Sequence, residues 1–186
     1  MKLVFFGGSN FSVFVLEELK LHNIMPEFII TTPDKPKGRK LVLAPTLVKV
    51  WAKENGIEVI DPSSLKKDNS DFISKLSALN SRLFLVASYG KIIPQEILDI
   101  PQKGTLNVHP SLLPKLRGAS PIKSAILQEN ETGVSIMLLD AEMDHGPILA
   151  EKKIISWENN NPPYEKDLAE MLGHKGGQML AKIIPD

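Results

Sequence analysis

The chain has 186 residues, 42% of them hydrophobic and 24% charged, enough for one globular domain with a sizeable core. Its 22 basic and 22 acidic residues cancel, so no global basic field announces nucleic acid, and any polyanion would have to meet a local patch. The absence of cysteine excludes disulfide frameworks, thiolate metal sites and cysteine nucleophiles, and is compatible with a reducing compartment.

The first apolar run, Leu3 to Phe6, is too short for a signal peptide or a membrane span and is expected to be the first strand of a cytoplasmic protein. It ends in Gly7-Gly8-Ser9. Phe11, Phe14, Val15 and Leu19 then fall at helical spacing, so strand, glycine turn and helix make half of a βαβ unit. Phe28 to Thr32 reads as the second strand. The spacing predicts a helix from Thr46 to Asn55 with Leu47, Val48, Trp51 and Ala52 on its buried side and Gly56 at its end. A third strand, Ile57 to Ile60, precedes a helix over Asp71 to Leu79 and the strand Leu83 to Ala87, whose wholly apolar character predicts cover on both faces. Beyond Arg117-Gly118, Ser120 is placed as an N-cap with Pro121 at the first helical position. Val134, Ile136 and Leu138 alternate along a strand that delivers a loop from Asp140 to Gly146 and returns as Ile148 to Ile155, an antiparallel pair. From Tyr164 to Ile184 a helical pattern is expected to be broken by Gly173, Gly176 and Gly177.

Strands alternating with helices predict an α/β fold, Rossmann-like, with a mostly parallel sheet and helices on both faces. Ligands of such sheets bind beyond the carboxyl ends of the strands. Three loops, Gly7 to Ser9, Ser88 to Lys91 and Asn107 to His109, are expected to converge there.

Asn107 and His109 are two apart at the end of an apolar run, so in an extended chain they look into one pocket. Such a pair can merely satisfy buried backbone groups. It also suits acyl transfer to an amine: the carboxamide N–H donates to a developing oxyanion while the imidazole stabilises charge or moves a proton. Asp144 stands in a loop where it could orient the imidazole or a water, although a loop aspartate is more often a turn residue. Lys35, Lys37, Arg39 and Lys40 crowd four positive charges into a Pro/Gly-rich loop, which reads either as a phosphate-attracting patch or as a solvated surface loop. A metal site from His109, Asp144 and His145 is disfavoured because adjacent residues diverge and no HExxH spacing occurs. A hydrolase built on Ser111 lacks G-x-S-x-G, and the first turn lacks the G-x-G-x-x-G of dinucleotide enzymes.

Asn107-Val-His109, the run Ser-Leu-Leu-Pro-Lys-Leu-Arg-Gly from Ser111 to Gly118, Glu131-Thr-Gly133 and Asp144 together resemble the formyltransferases that use 10-formyltetrahydrofolate. The resemblance covers nearly the whole chain, with Ser135 standing where the family often has Thr. It implies that Asn107, His109 and Asp144 form a catalytic trio and that no metal takes part. Tyr89-Gly-Lys-Ile-Ile-Pro94 resembles the family's folate loop, which implies a formyl-donor site at Ser88, Tyr89, Gly90, Lys91, Ile92, Ile93, Leu106 and Asp140. The stretch Thr32 to Pro45 resembles the long loop with which methionyl-tRNA formyltransferases grip the acceptor end of tRNA. That implies tRNA contacts by Lys37, Arg39 and Lys40, with Gly7, Gly8 and Phe11 beneath the methionyl group. Arg117 would either position phosphate or brace the catalytic loop.

The resemblance thus implies formyl transfer from 10-formyltetrahydrofolate to the amine of initiator Met-tRNA by a cytoplasmic monomer with no membrane partner. Formylation of an amino sugar or other small amine, and a tRNA- or folate-binding module without turnover, stay open as alternatives. Relatives of this kind usually carry a further β-rich domain for tRNA; residues 1–186 are expected to form the catalytic domain alone.

Overall fold

A computed structural model describes residues 2–37, 41–65, 70–140, 142–158 and 161–184. In chain order the elements are β1 (Leu3–Gly7), α1 (Asn10–Leu21), β2 (Phe28–Ile30), β3 (Lys35–Lys37), β4 (Val42–Ala44), α2 (Leu47–Glu54), β5 (Glu58–Ile60), α3 (Ser70–Ala78), β6 (Leu83–Ala87), α4 (Gln95–Leu98), β7 (Thr105–His109), α5 (Pro121–Gln128), β8 (Glu131–Leu138), β9 (Ile148–Ser156) and α6 (Glu165–Ile183). One sheet runs in the order β5-β2-β1-β6-β7-β8-β9, parallel from β5 to β7 and antiparallel at β8 and β9. This is the α/β architecture that the alternation of elements predicts.

The central strands β1 and β6 are buried along their whole lengths, as wholly apolar strands covered on both faces must be. Alternation splits their side chains between two cores. Phe5, Leu85 and Val108 join α1, α2 and α6 on one face, while Val4, Phe6, Phe84 and Val86 join Leu76 of α3 and Ile97 of α4 on the other. Full burial of Phe5, Phe6 and Phe84 contributes about 2–3 kcal/mol each, which fixes the strands that carry the site. Among the described residues no helix is long and apolar enough to cross a membrane.

Three expectations need correction. α6 is unbroken: its glycines are buried, and a Cβ at Gly173 would lie 2.6 Å from Cβ of Phe14, so these residues let α6 settle closely on α1. The cost of about 1 kcal/mol per helical glycine is offset by that approach. Leu47 is exposed rather than buried, because it stands in the first turn of α2, on the solvent side of the Thr46 cap. The strand expected at Val134, Ile136 and Leu138 is present as β8, buried from Thr132 to Met137 with its polar Ser135 enclosed and hydrogen-bonded. In the stretch expected as a loop, Lys35–Lys37 is a strand, β3, paired antiparallel with β4.

Candidate active site

The carboxyl ends of β1, β6 and β7 open into a cleft of about 850 Å³. Its walls are the start of α1, the loop after β6, the end of β7, residues 118–123, the loop after β8 and the first turns of α6. Asn107 and His109 belong to β7 itself, not to a loop beyond it; the strand places both on the cleft side, where they are 8% and 4% exposed.

Asp144 meets them from the loop after β8. Its Oδ2 accepts a hydrogen bond from the Gly118 backbone N–H at 2.8 Å and lies 3.6 Å from Nδ1 of His109, and its Oδ1 accepts from the Asn107 amide at 3.4 Å. On the other side of the ring, Nε2 of His109 is 3.0 Å from the carbonyl oxygen of Leu116. A carbonyl only accepts, so Nε2 carries the hydrogen of that bond. Nδ1 therefore faces the carboxylate, and the contact is attractive when a proton lies between them. Leu116 and Asp144, like Ser88 on the opposite wall, hold left-handed φ angles of 58°, 49° and 48°. Each costs on the order of 1–2 kcal/mol in a non-glycine residue, and all three carry groups into the cleft or onto its histidine.

The loop that supplies Leu116 and Gly118 is itself braced. The Ser111 hydroxyl donates to Lys115 O at 2.7 Å, and the buried Ser135 hydroxyl accepts from Leu113 N at 3.1 Å. Ser135 has one hydrogen to give and two acceptors for it, Ser111 O at 2.8 Å and the Glu151 carboxylate at 2.9 Å. Leu116, Gly118 and Ser135 stand in the stretches that carry the resemblance, but the sequence assigns them no role, the first two because they act through backbone atoms that leave no side-chain signature.

The model of the family described as formyl transferase matches residues 1–180. The chain belongs to the formyl transferase family. Among similar sequences are the methionyl-tRNA formyltransferase of Dictyoglomus turgidum, 42% identical over 187 residues, and that of Bacillus mycoides, 41% identical over 186; each alignment covers 100% of this chain and 58% of the relative. The chain thus spans little more than half the length of these relatives. Similar solved structures include the phosphoribosylglycinamide formyltransferase of Streptococcus pneumoniae TIGR4, with a TM-score of 0.76 at 19% identity over 98% of this chain and 96% of the other. A sugar N-formyltransferase from Shewanella sp FDAARGOS_354 gives 0.68 at 18% identity over 98% and 67%. At that identity the likeness is one of fold.

Ser88, Tyr89, Gly90, Lys91, Ile92 and Ile93 all line the cleft, as does Asp140. Ile93 is buried and Ile92 is 77% exposed, so one isoleucine forms floor and the other rim. The Tyr89 ring packs edge-on against Phe6, and burial pushes its phenol well above the ordinary range; among the described residues the hydroxyl has no hydrogen-bond partner. Lys91 spends its ammonium on two carbonyls of a neighbouring loop, Pro62 O at 3.1 Å and Ser63 O at 3.2 Å. A hydrogen bond from His145 at 3.1 Å holds the Asp140 carboxyl below the usual range. Leu106 does not line the cleft: one residue out of phase with Asn107, it is buried in the opposite core.

Of the residues expected beneath the acceptor, Phe11 lines the cleft and Gly7 and Gly8 do not. Gly7 ends β1, where a Cβ would meet the Phe5 ring at 2.7 Å, and the turn is pinned by Ser12, whose hydroxyl donates to Ala87 O at 2.6 Å and accepts from Gly8 N at 3.1 Å. Lys37 contributes its backbone to β3; Arg39 and Lys40 lie outside the described residues. Arg117 is exposed, does not line the cleft and has no hydrogen-bond or ion-pair partner among the described residues. Ser9, Asn10, Ile122, Lys123, Glu165 and Lys166 do line it. Their signal lay in three helix starts, α1, α5 and α6, which the sequence could mark as ends of helices but not bring to one place.

Proposed function

We propose that this formyl transferase moves the formyl group of 10-formyltetrahydrofolate to the free amine of initiator Met-tRNA, with Asn107, His109 and Asp144 as its catalytic residues. The observation that carries the reading is the convergence of these three side chains in one cleft of a chain about 40% identical to proteins named methionyl-tRNA formyltransferase. The acceptor nitrogen bonds to the formyl carbon, the carbonyl oxygen becomes an oxyanion, and the bond from that carbon to the donor nitrogen then breaks. The second N–H of the Asn107 amide donates to the oxyanion, and the His109 ring, when it carries the proton between Nδ1 and Asp144, adds its positive charge beside it. Asp144, held by the Gly118 N–H, takes the proton that the amine loses and, through His109, returns one to the departing nitrogen, so the charges balance.

A cleft of about 850 Å³ is within the range for ligands of this size. Tyr89, Ile92 and Ile93 give the donor ring apolar cover, with Ser88, Gly90, Lys91 and Asp140 around it. The starts of α1 and α5, which line the cleft with Phe11, favour an anionic acceptor there. Lys37, Arg39 and Lys40 would extend that recognition along the acceptor stem, with Arg117 at the margin. Residues 1–186 act as one catalytic unit, monomeric and cytoplasmic; sedimentation of the chain as a 20.6 kDa species tests the first of these.

His109→Ala and Asp144→Ala should each lower formyl transfer to charged initiator tRNA by at least about 100-fold. Undiminished rates would remove both residues from the mechanism. Offering Met-tRNA and small amines in competition separates this acceptor from an amino sugar, and absence of any product would favour a binding module.

A further inference from the structure

Among the described residues the β3–β4 hairpin pairs only with itself and not with the main sheet, so no ladder sets its direction. Nor does a core: Leu41, Val42 and Leu43 are all more than half exposed. An isolated two-stranded ribbon is marginal in water. What holds this one is polar and lies at its base. Asp34, immediately before β3, accepts from Lys49 Nζ at 2.8 Å, and the same nitrogen donates to Asp61 at 2.7 Å. Asp61 begins the loop after β5, whose next two carbonyls, Pro62 O and Ser63 O, accept from Lys91 of the cleft wall. On the other leg, Thr46 bonds through its hydroxyl to Thr31 at 2.9 Å.

We propose that Lys49 is a positioning residue that sets the hairpin against the loop after β5, and so governs affinity for a long acceptor, through the ion pairs Asp34–Lys49–Asp61. The inference rests on the tRNA reading above. Exposed ion pairs add little to stability, but a lysine shared by two carboxylates fixes three segments at once. Without the ammonium, Asp34 and Asp61 are left as like charges side by side, and attraction at the base becomes repulsion. The two carboxylates hold the Lys49 ammonium above its ordinary range, in keeping with this geometry.

The test compares Lys49→Met, Lys49→Arg and Asp34→Asn in the full chain by steady-state kinetics and by hydrogen exchange of the hairpin amides. Lys49→Met and Asp34→Asn should raise KM for charged initiator tRNA about tenfold, leave kcat and the donor KM within about twofold, and speed exchange at Lys37 and Val42 about tenfold. Lys49→Arg, which can still reach both carboxylates, should restore both readouts. An unchanged tRNA KM, a parallel rise in the donor KM, or an arginine variant as impaired as the methionine one would overturn the proposal. Should the parent chain formylate no tRNA, the functional reading falls, and the exchange experiment alone decides the brace: hairpin amides as slow in Lys49→Met as in the parent would refute it.

Discussion

Asn107 and His109 share a direction because a strand returns every second side chain to the same face, and the same rule sends Leu106 into the opposite core. What turns the pair into a site is added from elsewhere: a carboxylate from Asp144 and a carbonyl from Leu116, which together engage both ring nitrogens of His109. The cleft also contains a polar atom that the fold leaves unserved. The Tyr89 hydroxyl is buried without a partner among the described residues, and a buried hydroxyl in that state costs about 1–3 kcal/mol. Tyr89→Phe keeps the ring against Phe6 and removes the orphan, so it should raise stability by about 1 kcal/mol, or roughly 2–4 °C in Tm for a domain of this size. A melting temperature lowered by the same amount would mean that the hydroxyl is satisfied in solution.

At the scale of elements, α6 shows how far a propensity argument reaches. Three glycines inside one helix predict a break, yet the helix runs from Glu165 to Ile183 because those residues form its contact face with α1 and with Val108 of β7. The two accounts give opposite signs for one substitution. If Gly173 were only a poor helix former, alanine would stabilise by about 1 kcal/mol; with the Phe14 Cβ 2.6 Å from the new methyl, it should instead destabilise by about 1–3 kcal/mol. The midpoint of urea unfolding distinguishes them, with far-UV dichroism reporting that the helix persists. The β3–β4 hairpin presents the reverse case. Its Pro- and Gly-rich sequence reads as coil, and the short ladder from Lys35–Ala44 to Lys37–Val42 depends on an anchored base more than on local preference.

For the whole molecule, zero net charge means that any attraction for a polyanion is local. If the basic hairpin contacts tRNA, KM for the tRNA should rise steeply with salt while the donor KM stays nearly flat. Arg39→Ala and Lys40→Ala should each reduce the slope of log KM against log salt by about one. Slopes identical to that of the parent chain would place tRNA contact elsewhere. The sheet puts the loop after β6, the strand end of β7 and the loop after β8 at one edge, so Ser88 to Ile93, Asn107, His109 and Asp144 face a common cleft.

Patterns local in sequence were sufficient for much of this. Apolar runs and helical spacing mark the central strands and main helices, their alternation gives the mostly parallel sheet, and a two-residue spacing aims Asn107 and His109 together; each follows from backbone periodicity alone. Only the tertiary structure decided that Gly118 N–H holds Asp144, that Leu116 O holds His109, that Leu106 is turned away, that Lys49 joins Asp34 to Asp61 and that α6 stays whole. Those outcomes depend on which segments pack against one another, and on main-chain groups that every residue shares and no sequence pattern distinguishes.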